Sequence, residues 1–339
     1  MQKGIFEVHT LTPLFLSGAD QSTAELRTPP VRGVLRYWQR ALLGGIVGTD
    51  ASGLAIVQQA ERDLFGAGDQ SSALTIKLAH SSPPSYAFND RISTRQGTQW
   101  QTTGTGYLLW SMAQSGKAER GNFKPARHYF PPGTRFQVTL AVRNGNSKQL
   151  QQAIALLWLL THLGGLGSRS RRCAGSLVAH PVTPISDLPF NPPDQASDLK
   201  YQLEYGISFA RSLYDVAHRT PHDANFDTLA RDTCRMWILQ DKQPWPTSEA
   251  ALQTIGKRLQ DYRYSLHISQ RKIFGLPLPP LSQQRRPSPL LLRIAVLRDN
   301  SYVGIAVLFK THARDVRYED YVIIEQWIPT FSGALEVMI

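Results

Sequence analysis

The chain has 339 residues, 42% of them hydrophobic and 19% charged, proportions that exclude a disordered or fibrous protein and suit a soluble globular one. Its net charge of +11 is lopsided, with 19 Lys/Arg against 9 Asp/Glu in residues 1–180 and 18 against 17 in residues 181–339, which points to a polyanionic partner. The apolar runs fall far short of the ~20 residues of a membrane helix. Cys173 and Cys234 have no metal-ligand spacing, and Met1-Gln2-Lys3-Gly4-Ile5-Phe6 lacks a signal peptide's apolar stretch, so a reducing cytoplasm and no membrane partner are expected.

Residues 5–10 alternate, with Phe6 and Val8 to one side and Glu7 and His9 to the other, which predicts a half-buried strand. Thr28 as cap and Pro29-Pro30 in the first turn predict a helix to Leu43, closed by Gly44-Gly45, with Val31, Leu35, Trp38 and Leu42 inward. A strand over 73–80, a polar insertion over 81–132 and a strand over 134–142 follow, the last after the turn Pro131-Pro132-Gly133. Ser147 is expected to cap a helix through His162, ended by Gly164-Gly165, before a strand from about Gly175 to Pro181. The order βαββαβ is that of a ferredoxin-like module, two helices on one face of a four-stranded antiparallel sheet with the other face free.

The Pro/Asp-rich stretch 182–198 reads as a linker. Beyond it the pattern predicts a strand from Tyr201, helices over 209–218, 226–239 and 248–262, and strands over 290–297 and 302–310. The expected fold class is α+β, with two tandem ferredoxin-like (RRM-like) domains, 1–181 carrying the insertion and 199–339 decorated with extra helices.

Two basic segments carry the candidate chemistry. Arg32, Arg36 and Arg40 fall at i, i+4 and i+8 of the first predicted helix, a stripe about 80° wide, with Arg27 just ahead of it. Their helix places no Asp or Glu at i±4 to pair them, so the stripe is expected to track phosphates beside a helix N-terminus that itself favours an anion. The second segment, Gly164-Gly165-Leu166-Gly167-Ser168-Arg169-Ser170-Arg171-Arg172-Cys173-Ala174-Gly175, joins a helix to a strand within a carboxylate-free stretch from Arg120 to Ser186. Its glycines permit close backbone approach to phosphates, and its arginines neutralise charge and stack on bases. Blander alternatives stand beside these: a solvated helix face for the first, and a helix C-cap with a solubilising loop for the second. Tyr37, Trp100, Tyr107, Tyr129 and Phe130 are candidates for base stacking, whereas Trp38, on its helix's apolar stripe, reads as core.

Thr12-Pro13-Leu14-Phe15, Glu25-Leu26-Arg27-Thr28-Pro29-Pro30-Val31-Arg32-Gly33-Val34-Leu35-Arg36-Tyr37-Trp38 and the segment from Gly164 to Arg172 together resemble the RAMP superfamily, and within it the subunit-one family of the type III-B (Cmr) CRISPR complex. Phe274-Gly275-Leu276-Pro277-Leu278 and Arg285-Arg286-Pro287-Ser288-Pro289-Leu290-Leu291 resemble that family's tail, while Cys173-Ala174 departs from it where a second glycine is common. The resemblance implies paired ferredoxin-like domains, a place near the crRNA 3′ end, contact with crRNA and target RNA, and assembly with other Cmr subunits in antiviral defence; no Tyr/Lys/His constellation stands out in the sequence, so no catalytic residue is expected. The expected RNA-binding residues are Arg27, Arg32, Arg36, Arg40, Gly164, Gly165, Gly167, Ser168, Arg169, Ser170, Arg171, Arg172, Arg285 and Arg286; no cofactor or metal is expected.

Two alternatives remain open at this stage. A metal-independent endoribonuclease of similar fold would use His9, His128 or His162 as acid or base. A protein-only adaptor would dock its basic face on an acidic partner. Asp215, His218, His222 and Asp223 form an H-x₃-H cluster better read as a solvated turn than as a metal site.

Overall fold

The computed structural model describes residues 2–339 apart from 21, 89–92, 97, 98, 117, 144, 145, 186, 220, 276–285, 314 and 315; of 93–96, 99–102 and 118 it describes the backbone. In chain order the first half supplies β1 (Gln2–Thr10), α1 (Thr28–Val47), α2 (Ala51–Phe65), β2 (Leu74–Ala79), α3 (Gly104–Leu109), β3 (Arg135–Val142), α4 (Ser147–Leu163) and β4 (Leu177–Pro181). Alternation in β1 buries Phe6 and Val8 and turns Glu7 and His9 outward. All pairings are antiparallel, Phe6 facing Val138 on β3 and Pro181 on β4, and the strand order is 2-3-1-4. This is the ferredoxin-like sheet, with α1 and α4 packed on its apolar face around Leu35, Trp38, Leu42 and Leu157.

Four details of the first half differ from expectation, one being that Asn146, whose side chain accepts from Gln149 N at 3.1 Å, caps α4 in place of Ser147. Arg27, not Thr28, is the N-cap of α1, and its side chain makes no capping bond. The helix also runs through Gly44-Gly45 to Val47, because those glycines serve approach rather than termination. A Cβ on Gly44 would lie 2.7 Å from the Phe226 ring, and one on Gly45 would overlap the Leu229 carbonyl. Beyond them comes α2, an element missing from the expectation, capped by Asp50, whose carboxylate accepts from Gly53 N at 2.7 Å.

The second half supplies α5 (Ala196–Ser212), β5 (Cys234–Leu239), α6 (Ser248–Ser265), β6 (Leu290–Val296), β7 (Tyr302–Phe309) and β8 (Leu335–Val337). Its sheet order, β6-β7-β5-β8, repeats the first sheet's 2-3-1-4 with every pair antiparallel. Here the predicted strand at Tyr201 and helix over 226–239 are corrected. Residues 196–212 form one helix, α5, which starts inside the stretch expected to be a linker and packs on α4 and α1. Residues 234–239 form β5, a strand without polar alternation because both of its faces are covered. Met236 and Ile238 join the core of the first sheet, while Trp237 and Leu239 join a second core with Ile255, Leu292 and Trp327. The free sheet face expected of each module is therefore absent from the second sheet.

The insertion also crosses over. Phe88, Leu108, Leu109 and Met112 lie in the second core, and α3 crosses α6 where Gly104 meets Gly256. Thr105 donates to Glu249 at 2.6 Å and its amide donates to Gln253 Oε1 at 3.2 Å, fixing that crossing.

His162, at the end of α4, stacks on Trp158 (centroids 4.2 Å apart, planes 14° apart) and donates through Nδ1 to the Trp158 carbonyl at 2.9 Å. Burial, with the Arg293 guanidinium nearby, pushes its pKa from 6.5 down to about 3. The folded protein keeps this imidazole neutral while the unfolded chain takes up a proton below pH 6.5. Stability is thus fully present above that pH and falls by about 1.4 kcal/mol per unit towards pH 3. Urea midpoints for His162→Phe are expected to fall less between pH 7 and 5 than those of the parent; parallel curves would remove His162 as the cause.

Candidate nucleic-acid interface

The first basic segment divides into three roles. Arg32 donates to Phe65 O at 3.3 Å, Ser72 Oγ at 2.9 Å and Leu74 O at 3.3 Å, so it ties α1 to the end of α2 and the start of β2. Arg27 lies 4.0 Å from Glu25 at the helix entry. Arg36 and Arg40 both reach Glu61 Oε1 on α2, at 2.7 and 3.5 Å. The premise of an unpaired stripe is therefore corrected: the carboxylate arrives from the helix that sequence reading missed. Glu61 is buried, yet Arg36 and Arg40 remain 41% and 44% exposed. Two guanidiniums share one anion, leaving a net positive charge on side chains already held in place.

The second segment is not a free loop. Gly164 lies against Trp38, where a Cβ would stand 2.7 Å from the indole nitrogen, and Gly165 against Ala174 O. Gly167 takes φ +84° beside the Phe15 carbonyl, to which Ser168 N donates at 2.8 Å. Arg169, itself at φ +63°, donates through Nε to Leu108 O at 3.0 Å and so holds the end of α3. Arg171 bonds Asp227, Tyr37 Oη at 3.3 Å and Ser288 O at 3.0 Å; Arg172 donates to Phe274 O at 3.3 Å. Cys173 adopts φ +67°, the left-handed conformation a glycine favours, so its backbone takes that path despite the residue change. Its amide donates to Leu292 O at 2.8 Å while Leu292 N donates to Arg171 O at 3.3 Å, which stitches the segment alongside β6.

Burial dominates the electrostatics of these arginines. It pushes Arg169 down to about 10 and, with Arg169 adjacent, Arg172 down to about 9. Arg171 is different: burial opposes its charge, but Tyr37 and Asp227 more than offset that and raise it. Expected to be phosphate contacts, all three side chains instead bond carbonyls, a hydroxyl or a carboxylate within the chain.

What the fold does assemble is a groove of about 500 Å³ between α1 and the second half, lined by Tyr37, Arg40, Phe226, Asp227, Arg286 and His312. Arg286 bonds Lys272 O and lies 3.5 Å from Ile273 O, and Asp227 is neutralised by Arg171 from below. Two expected residues, Arg40 and Arg286, thus meet in one concavity with two aromatic walls. Arg285 and residues 276–278 of the tail motif lie outside the described residues, as does the Trp100 side chain. Sequence reading missed Glu61, Phe226 and His312. A signal existed for Glu61, since Val57, Glu61 and Leu64 recur at helical spacing; Phe226 and His312 come from loops brought in by tertiary contact.

The other candidates lie apart. Trp38 is core, at 1% exposure. His9 bonds Glu7 at 2.7 Å beside His180, His128 pairs with Ala87 in a two-residue strand, and His162 is packed against Trp158. In the H-x₃-H turn, His222 bonds Asp232 at 2.7 Å and Asp223 bonds His312 at 3.1 Å.

A family model described as the RAMP superfamily matches residues 7–178. Among curated proteins, CRISPR system Cmr subunit Cmr1-1 of Pyrococcus furiosus is 27% identical over 318 residues, covering 90% of this chain and 87% of that one. Cmr subunit Cmr1-2 of the same organism is 29% identical over 187 residues, 52% of this chain and 95% of that one. Among solved structures, Cmr1 from Pyrococcus furiosus in its apo form superposes with a TM-score of 0.68 at 23% identity, over 100% of this chain and 99% of that one. A chain from a cryo-EM structure of the type III-B Cmr-beta bound to cognate target RNA superposes at 0.58 and 12% identity, covering 96% of this chain and 100% of that one. At these identities the structural likeness shows the fold.

Proposed function

Because this chain belongs to the RAMP superfamily, we propose that it is a non-catalytic, RNA-binding subunit of a type III-B CRISPR effector complex, placed near the crRNA 3′ end and contacting crRNA and target RNA. Similarity to the two Cmr subunits supports the complex. The observation that carries RNA binding is the pair Arg36 and Arg40, exposed and pre-oriented by one buried carboxylate, of which Arg40 lines a groove that also holds Tyr37, Phe226 and Arg286. Guanidiniums fixed in this way lose little freedom on meeting a phosphate, and aromatic walls suit unpaired bases.

The test is fluorescence anisotropy of a labelled single-stranded RNA across a salt series. Each lost phosphate contact flattens the slope of log K against log salt by about 0.7 for single strands, so Arg36→Ala/Arg40→Ala is expected to flatten it by about 1.4 and weaken binding at every sequence tried. An unchanged slope and affinity in a folded double variant would sink the reading. Arg171 is a poor probe for this purpose, since its replacement disturbs the fold.

A further inference from the structure

We infer that α5 and the loop after it form a second track for single-stranded RNA, separate from the α1 groove. The motivation is an exposed aromatic stripe that runs into a cationic groove. Tyr201 and Tyr205 are 67% and 54% exposed, one helical turn or about 6 Å apart along α5. The Tyr205 ring continues onto Phe209, with centroids 6.2 Å apart and planes 24° apart. These side chains have no need to be outside: the buried side of α5 is already filled by Leu199, Leu203, Ile207 and Ala210. Tyr201 and Tyr205, on the opposite side, therefore present their π-faces to solvent, while Phe209 packs partly against the core.

Positions 201, 205, 208 and 212 fall within about 60° on the helix, so the stripe leads directly to Ser208 and Ser212. Both serines line a groove of about 510 Å³ whose wall also carries Arg211, His218, Arg219 and Arg231. Among the described residues lining it, no side chain is a carboxylate. The acids nearby are engaged elsewhere or at the margin. Asp50 lies 3.9 Å from Arg219, and Glu204 takes Lys200 at 3.8 Å and Met338 N at 2.9 Å. Arg211 spends one N–H on Leu229 O, which fixes its guanidinium within the wall.

Stacking platforms followed by guanidiniums and hydroxyls match a flexible strand whose bases lie on the rings and whose phosphates lie in the groove. A duplex would hide its base faces from the tyrosines, and an acidic protein would use the groove but leave the stripe without a role. The inference rests on the RNA-binding reading for its ligand class, while its residues are distinct from Arg36 and Arg40.

The full chain is titrated with a fluorescein-labelled single-stranded RNA long enough to span both surfaces, using parent, Tyr201→Ala/Tyr205→Ala, Arg219→Ala/Arg231→Ala and Arg36→Ala/Arg40→Ala. The tyrosine variant is expected to lose about tenfold or more in affinity with an unchanged salt slope, and the Arg219/Arg231 variant to flatten the slope by about 1.4. Crosslinks from a 4-thiouridine oligonucleotide are expected on the peptide holding Tyr201 and Tyr205. Unchanged affinity and no crosslink there, alongside a weakened Arg36/Arg40 variant, would overturn this track and leave the first groove standing. The converse pattern would overturn the first groove alone. Loss of binding to a protein partner in the tyrosine variant, with RNA affinity intact, would also overturn the track.

Discussion

Replacing Asp227 with alanine is expected to cost about 3–5 kcal/mol of stability, measured as a fall in the urea midpoint at pH 7. Asp227 and Arg171 are mostly buried, and the guanidinium lies 5.7 Å from the Tyr37 ring centroid and 5.9 Å from that of Phe309. Removing the carboxylate leaves a cation between two aromatic faces with a hydroxyl and a carbonyl as its remaining partners. The double change Arg171→Met/Asp227→Leu is expected to recover most of the loss, because it removes both charges and keeps the volume. A loss below about 1 kcal/mol in Asp227→Ala would mean that water screens the pair as it does at a surface, and the arginine would not be a clamp.

Gly256→Ala should produce a comparable effect by a different route. A methyl there would occupy the space of the Gly104 carbonyl, and a methyl on Gly104 would overlap the Gln253 carbonyl. Both obstacles are backbone, so the helices must separate, taking Leu108 and Leu109 out of the second core. The expected loss is about 3 kcal/mol, at the upper end of overpacking costs. Gly33 on α1 is the control: it is exposed with open space around it, so Gly33→Ala is expected to be neutral or to stabilise by about 0.5–1 kcal/mol. Equal melting temperatures for Gly256→Ala and the parent would show that α3 does not rest on α6.

The first sheet was legible because β1, β2 and β3 alternate buried and more exposed residues, and periodicity reports that contrast; α4, buried all round from Ala153 to Thr161, was legible from its length and the glycines that end it. Where burial is two-sided the contrast vanishes. Cys234-Arg235-Met236-Trp237-Ile238-Leu239 therefore gave no period-2 signal and read as part of a helix, although it is β5, one of the two inner strands of its sheet. The glycines Gly44-Gly45 misled in another way, since close approach to Phe226 and Leu229 has the same composition as a stop. At the site, sequence identified the arginines but not their partners. Glu61 stands 25 residues beyond Arg36 and Asp227 stands 56 beyond Arg171, and no local pattern links them. Charge runs announce that cations are present; only the fold decides which of them face outward.

The stitch between the Gly164–Gly175 segment and β6 bears on how this chain came to be one molecule. The two sheets share a strand order, so they look like repeated copies of one part. Yet Arg169, Arg171, Arg172 and Cys173 find their partners on α3, on Asp227 and Ser288, on Phe274 and on Leu292. Severed after β4, the first half would keep Arg171, Arg172 and Cys173 without their partners beyond the cut, and Met236 and Ile238 of β5 would lose the first-half residues of the core they share. Likeness of form does not bring independence: the halves are expected to unfold together, a change on one side of the seam being felt on the other.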